Sequence, residues 1–387
     1  MASSHTVRRL RPFASTIFAE MTELALRHDA VNLGQGFPDS DGPAAMLEVA
    51  RDAITHNFNQ YPPARGLPAL RQAIARDRAR IGLDYDPDTE MLVTVGASEA
   101  LSAAILGLVE PDQEVVLIEP YFDVYAAAIA MAGARRRTAR LVSDGDGFTL
   151  DIDSLRGAIT PATRMIVVNT PHNPTGAVLN RATLLAIAEI ACDKDLLVLS
   201  DEVYEHLAFD GVDHISLATL PGMRERTIVV SSAGKRFSVT GWKIGWACAP
   251  RPLIDAVLAA KQFLTFAGGG PFQQAVAYAL DDERDWVTHW RDELAIKRDL
   301  LSKALEEAGF GVRHGAGTFY LCADVAPLGE PDALSFCRTM PRRIGVAAVP
   351  VHVFADDPAP WKTLVRFTFC KRDATLAEAA RRLKQPS

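Results

Sequence analysis

Lys235 follows a short apolar run, and the residues around it suit amine chemistry. The run is Thr227-Ile228-Val229-Val230, and Ser231-Ser232-Ala233-Gly234 lead from it to the lysine. A short, continuous, β-branched run reads as a buried parallel strand. Open α/β sheets gather their chemistry at the carboxyl ends of their strands. Apolar surface there disfavours the charged form of a lysine and frees its amine to attack a carbonyl. Taken alone, Lys235 also reads as an ordinary surface lysine.

Three further groups fall at the ends of candidate strands. The turn Val95-Gly96-Ala97-Ser98-Glu99 opens a helix, whose free N–H groups and dipole suit a phosphate. The plain alternative is a Ser98 cap. In Asn169-Thr170-Pro171-His172-Asn173-Pro174-Thr175-Gly176, two prolines and a glycine fix a rigid turn around the Asn173 amide. Ser200-Asp201-Glu202-Val203-Tyr204 ends another apolar run. A carboxylate at the end of a buried strand needs a partner, because burial penalises its charge. A protonated pyridine nitrogen is one such partner, and Tyr204 can reach a phenolic oxygen nearby. The alternative is a helix-capping aspartate with a core tyrosine. Lys243 stands eight residues beyond Lys235. No HExxH, phosphate-binding P-loop, GxSxG or Cys/His cluster at ligand spacing is present, so no metal is expected. His172 and His206 read as structural. A phosphate cradle, an amide, a carboxylate, a phenol and a lysine together match what pyridoxal phosphate requires.

These groups need a frame. From residue 91 onward, strand and helix patterns alternate. Candidate strands cover 91–95, 115–118, 165–169, 196–200, 227–230 and 244–248, with helices at 99–109, 124–131, 182–194 and 252–263 between them. That order implies an α/β fold, a mostly parallel sheet with helices on both faces. Helices are also expected at 15–28, 47–56 and 68–80. A long amphipathic helix at 282–308 leads to a smaller α+β domain with strands at 318–322 and 364–369. The expected division is an N-terminal arm at 1–45, a large domain at 46–281 and a small domain at 282–387, with the arm joining the small domain.

Bulk properties exclude several classes. The chain has 387 residues, enough for two or three domains at roughly 150 residues each. Its net charge of −7 argues against nucleic-acid and anionic-membrane partners. The basic cluster Arg8, Arg9 and Arg11 is too short to reverse that. Five scattered cysteines, an odd number without CxxC spacing, suggest a reducing, cytoplasmic setting. No secretory signal or transmembrane run is legible.

The chain resembles the fold-type I pyridoxal-phosphate aminotransferases of class I/II. The likeness spans nearly its whole length, through NLGQGFPD, NQYPP, VTVGASEAL, EPYFDVY, NTPHNPTG, SDEVYEH, SSAGKRFSVTGWKIGW and VRFTFCKRD. Within that class it is similar to the branch of kynurenine/glutamine and methionine transaminases, and most to actinobacterial enzymes for N-succinyldiaminopimelate.

The resemblance implies the following roles. Lys235 is the Schiff-base lysine, and Asp201 pairs with the pyridinium nitrogen. Tyr204 and Asn173 bond the phenolic oxygen, and Phe122 stacks on the ring. Gly96, Ala97, Ser98, Ser232 and Lys243 hold the phosphate, joined by Tyr61 from a partner subunit. Arg366 grips the substrate α-carboxylate bidentately, with Gly36 and Asn173 beside it. Phe18, and Phe266 from the other subunit, line the side-chain pocket. The implied protein is a homodimeric transaminase passing an amino group from an amino acid to a 2-oxo acid, with N-succinyl-LL-2,6-diaminopimelate and 2-oxoglutarate as the first expectation. Alternatives are a kynurenine-, glutamine- or methionine-type transaminase and a cysteine-S-conjugate β-lyase. A cofactor-binding transcription regulator would need a DNA-binding domain, for which this acidic chain has no room.

Overall fold

Eight strands form the larger sheet in a computed structural model of the chain, which describes residues 5–384 except Asn57 and Asp146. They are β1 (Met91–Val95), β2 (Glu114–Glu119), β3 (Arg135–Asp144), β4 (Gly147–Leu150), β5 (Thr163–Asn169), β6 (Leu197–Asp201), β7 (Thr227–Ser232) and β8 (Ile244–Cys248). Their order across the sheet is β1-β8-β7-β6-β5-β2-β3-β4. The neighbours β7, β6, β5, β2 and β3 pair in parallel. β8 runs against both β7 and β1. β7 is parallel to β6 and antiparallel to β8, within a sheet that is mostly parallel, as expected.

Alternation along the strands dictates the layers. Val115 and Leu117 face the helices Gly96–Leu108, Asp123–Ala132 and Arg251–Leu264. Val116 and Ile118 face the opposite way, toward Leu184, Ile187 and Ala191 of the helix Arg181–Asp193. Both faces are buried, so these strands are apolar throughout.

A second sheet of four strands, Gly311–Arg313, Tyr320–Asp324, Leu364–Thr368 and Val349–Pro350, follows the long helix Arg284–Glu307. Met21 and Leu33 from the N-terminal region pack in one core with Trp290, Leu301, Phe336 and Phe367. Val31–Asn32 also pairs in parallel with Val346–Ala347. We propose on this packing that 1–45 and 282–387 make one unit and 46–281 the other.

Two strands and two helices are among the elements that lie outside the sequence expectation. β3 and β4 close the far edge of the large sheet. β3 opens with Arg135-Arg136-Arg137 and is mostly exposed, so it lacks the apolar signature of its neighbours. The helix Gly270–Asp282 begins in a glycine run that reads as a turn, yet Pro271 suits a helix's first positions. The helix Ile152–Ala158 is capped by Asp151, which accepts from the N–H groups of Asp153 and Ser154. Among the described residues, no helix is long and apolar enough to cross a membrane.

Candidate active site

The sheet brings six chain segments to one edge. β1, β2, β5, β6 and β7 share one direction and end there, while β8 runs oppositely and begins there. Gly96, Phe122, Asn169, Asp201, Ser232 and Lys243 consequently meet although they span much of the chain. They border a cavity of about 210 Å³. Ala97, Ser98, Asn173, Tyr204 and Lys235 line it too.

Gly96 is where the cradle is tightest. Its φ of +73° is left-handed, and a Cβ there would lie 3.1 Å from Lys243 Nζ. Only glycine adopts this turn without strain and leaves the lysine its room. Gly245 on β8 lets that strand lie against the turn, since a Cβ there would lie 2.5 Å from the Gly96 carbonyl carbon. The first N–H groups of the helix Gly96–Leu108 thus open beside a lysine and two serines, a set of donors fit for a phosphate.

Asp201 ends β6 and is only 3% exposed. Tyr125 Oη donates to its Oδ2 at 2.6 Å, and the Val203 N–H donates to Oδ1 at 3.3 Å. Burial pushes the carboxyl pKa up to about 6, while the Tyr125 bond, the Val203 bond and the Lys235 charge pull it back. A cation in the cavity would relieve this group. Tyr204 is buried, its hydroxyl 3.4 Å from that of Tyr320, and burial holds its pKa well above the usual phenol range.

Lys235 lies on the short helix Ala233–Arg236 directly after β7. Its Nζ donates to Gly36 O at 3.2 Å and lies 5.1 Å from the Phe319 ring centre. Gly36 is pressed against Tyr320, where a Cβ would fall 1.7 Å from the phenol oxygen.

Arg366 comes from the small sheet. Its Nη2 donates to Gly34 O at 2.8 Å, and Nη1 donates to Asn173 Oδ1 at 3.0 Å. The guanidinium stacks 4.1 Å from the Tyr320 ring centre and 5.2 Å from that of Phe18. Nε is buried without a partner. Asn173 joins Arg366 to the cavity, and its own N–H is fixed by Asn169 Oδ1 at 2.8 Å.

Tyr61 and Phe266 do not line their own chain's cavity. They are exposed, with rings meeting edge to face at 5.7 Å. His172 is buried and held neutral, with a pKa near 4, and bonds Thr175, as a structural histidine does. Glu202, Glu205 and His214 lie close together, but Ser200, Ser216, Ser231 and Arg78 already satisfy the two carboxylates.

Sequence reasoning missed Tyr125, Asn169 and Tyr320. Tyr125 stands one residue before a full helical turn beyond Phe122 and within the same EPYFDVY motif, so helical spacing pointed to it. Asn169 is the first residue of NTPHNPTG. Tyr320 carries no local signal, because its contacts come from distant strands.

The chain matches the family described as aminotransferase class I and II over residues 28–383. It belongs to that family. This aminotransferase is 58% identical to a probable N-succinyldiaminopimelate aminotransferase of Mycobacterium tuberculosis, over 98% of both chains. It is 39% identical to a methionine aminotransferase of Escherichia coli, over 97% of both. The solved N-succinyldiaminopimelate aminotransferase of M. tuberculosis superposes with a TM-score of 0.97 at 59% identity, covering 98% of this chain and 99% of the other. The fold is that of the type I aminotransferases.

Proposed function

We propose that this aminotransferase uses pyridoxal 5′-phosphate to pass the amino group of N-succinyl-LL-2,6-diaminopimelate to 2-oxoglutarate. The observation that carries the substrate is the 58% identity to the M. tuberculosis protein over 98% of both chains. The cofactor rests on the cavity itself. A buried carboxyl with a raised pKa faces a lysine amine, beside an open helix N-terminus with Lys243 next to it.

When bound, the cofactor supplies the carbonyl that takes the amine and the ring that accepts the developing charge. Lys235 would provide the amine that holds the cofactor, and its amine would serve as the base for the proton at the substrate Cα. Asp201 would keep the ring nitrogen protonated. Tyr204 and Asn173 would offer hydrogen bonds to the phenolic oxygen, and Phe122 would provide an apolar wall for the ring. Gly96, Ala97, Ser98, Ser232 and Lys243 would hold the phosphate. Arg366 orients the α-carboxylate through its paired guanidinium N–H groups.

The far carboxylates of the proposed donor need cations of their own. Arg8, Arg9 and Arg11 belong to the short helix Arg8–Phe13, and its Phe13 packs against the same core as Phe122. That shared core supports the basic arm as the source of those cations. The proposed assembly is a cytoplasmic homodimer. Tyr61 and Phe266 support it, being 81% and 45% exposed with their rings in contact.

Comparing kcat/KM for N-succinyl-diaminopimelate, glutamine, methionine, kynurenine and phenylalanine tests the substrate. The succinylated donor should lead. If an uncharged side chain wins by about tenfold, equivalent to ~1.4 kcal/mol, the substrate assignment fails and the aminotransferase chemistry stands.

A further inference from the structure

Lys261 is only 1% exposed, on the helix Arg251–Leu264, and no step above uses it. Its ammonium donates to two backbone carbonyls, Ala64 O at 2.9 Å and Phe266 O. These carbonyls belong to two loops far apart in the sequence. One loop carries Tyr61 and the other carries Phe266.

A buried ammonium is costly unless its N–H groups and charge find partners. Burial pushes the Lys261 pKa down, and the charge of Glu99 pulls it back up. Glu99 is itself a tether. It accepts the Val95 N–H at 2.6 Å and the Thr265 hydroxyl at 2.5 Å. Glu99 thereby fastens the Phe266 loop to the turn that forms the phosphate cradle. Gln273 adds a second strap, accepting from the Leu67 N–H at 2.8 Å and donating to Gly268 O at 2.6 Å. Phe266 has φ +61°, an uncommon conformation for a residue with a side chain, and one that persists where neighbours hold it.

All this fixing serves two rings that do nothing for their own cavity. We infer that Lys261 is a positioning residue that locks the Tyr61 and Phe266 loops into one rigid projection, which completes the active site of a second copy of this chain. The inference rests on the two-subunit reading above and adds the device that sets its geometry. Gathering two loops on one buried amine removes their conformational freedom before the subunits meet, so the neighbouring site does not have to order them.

Lys261→Met keeps the length of the side chain and removes its donors. The test uses tagged heterodimers of the loaded enzyme in which one chain also carries Lys235→Ala, so that only its partner has a working lysine. With Lys261→Met on the Lys235→Ala chain, the cofactor dissociation constant at the working site should rise about tenfold, read from bound-cofactor absorbance. KM should rise with it while kcat changes little. With Lys261→Met on the chain that owns the working lysine, the affinity should stay near that of the heterodimer carrying Lys235→Ala alone. Equal effects in both arrangements, or an effect confined to the second, would overturn the role of Lys261. Heterodimers of Tyr61→Ala and Lys235→Ala chains separate this from failure of the underlying reading. Their activity should exceed that of either parent, and no recovery in the purified heterodimer would overturn the two-subunit site and the inference together. Sedimentation of the Lys261→Met homodimer should match the wild type, and a monomer would likewise overturn a purely positioning role.

Discussion

Tyr125 donates its phenolic hydrogen bond to Asp201 across 2.6 Å, from the first turn of the helix Asp123–Ala132 that follows Phe122. Burial and the neighbouring carboxyl hold the Tyr125 pKa well above the usual phenol range, so it stays a donor. The bond does two things. It fixes the carboxyl at the cavity wall, and it draws the Asp201 pKa back toward the carboxylate range. Tyr125→Phe keeps the ring and deletes the donor. The Asp201 pKa should then climb further, leaving less carboxylate to hold a ring proton. A charge-assisted bond of about 2 kcal/mol corresponds to a fall in kcat/KM of roughly thirtyfold. Unchanged kinetics would show that Asp201 needs no help from this phenol.

Asp201 also makes a prediction about stability and pH. Its folded pKa is raised from 3.8 to about 6. The neutral acid therefore favours folding, a contribution fully present below about pH 4 and lost as pH rises through about 6. In cofactor-free protein, Asp201→Asn has no charge to bury. Relative to wild type, the variant should gain about 2 kcal/mol between pH 4 and pH 7, read by urea unfolding at both. A constant difference would mean that burial does not raise this carboxyl. In the loaded enzyme the same change should lower transamination at least ~10²-fold, because an amide cannot hold the ring proton.

Arg366→Lys tests the carboxylate grip. A lysine keeps the charge but cannot hold Gly34 O, Asn173 and a carboxylate in one planar fork. KM for amino donors should rise about tenfold to a hundredfold, with a smaller change in kcat. A KM within threefold of wild type would show that Arg366 serves structure alone.

Gly96→Ala probes the phosphate cradle. The new Cβ meets Lys243 at 3.1 Å, and the left-handed backbone adds strain of about 1 kcal/mol. Cofactor affinity, measured by titrating the cofactor-free protein, should fall roughly tenfold. Undiminished affinity would move the phosphate elsewhere.

Much of this site was legible in the sequence because one edge of the sheet collects what the chain presents at successive strand ends. Asp201, Ser232 and Lys235 follow apolar runs whose β-branched residues are buried on both faces, and such runs announce themselves. β3 did not, because Arg135-Arg136-Arg137 give it the look of a polar loop. The expected strand at 318–322 forms instead as Tyr320–Asp324. Thr318 has φ +66°, a conformation no strand contains, and pairing begins beyond it. Tyr320 meets Gly36, Tyr204 and Arg366 only because the small sheet folds back on the N-terminal loop, and no spacing within the sequence encodes that meeting. Lys261 was invisible for the same reason, since its two carbonyl partners are set by loop geometry.

In the proposed reaction Lys235 performs the amino transfer in the cavity that Asp201 borders. The most direct measurement incubates loaded enzyme with amino donor and 2-oxoglutarate and quantifies glutamate, for wild type and for Lys235→Ala freed of unbound cofactor. The account predicts bound-cofactor absorbance and steady glutamate release from the wild type, and loss of the lysine-bound absorbance with glutamate formation reduced at least ~10³-fold in the variant. Glutamate production by Lys235→Ala at the wild-type rate would contradict it.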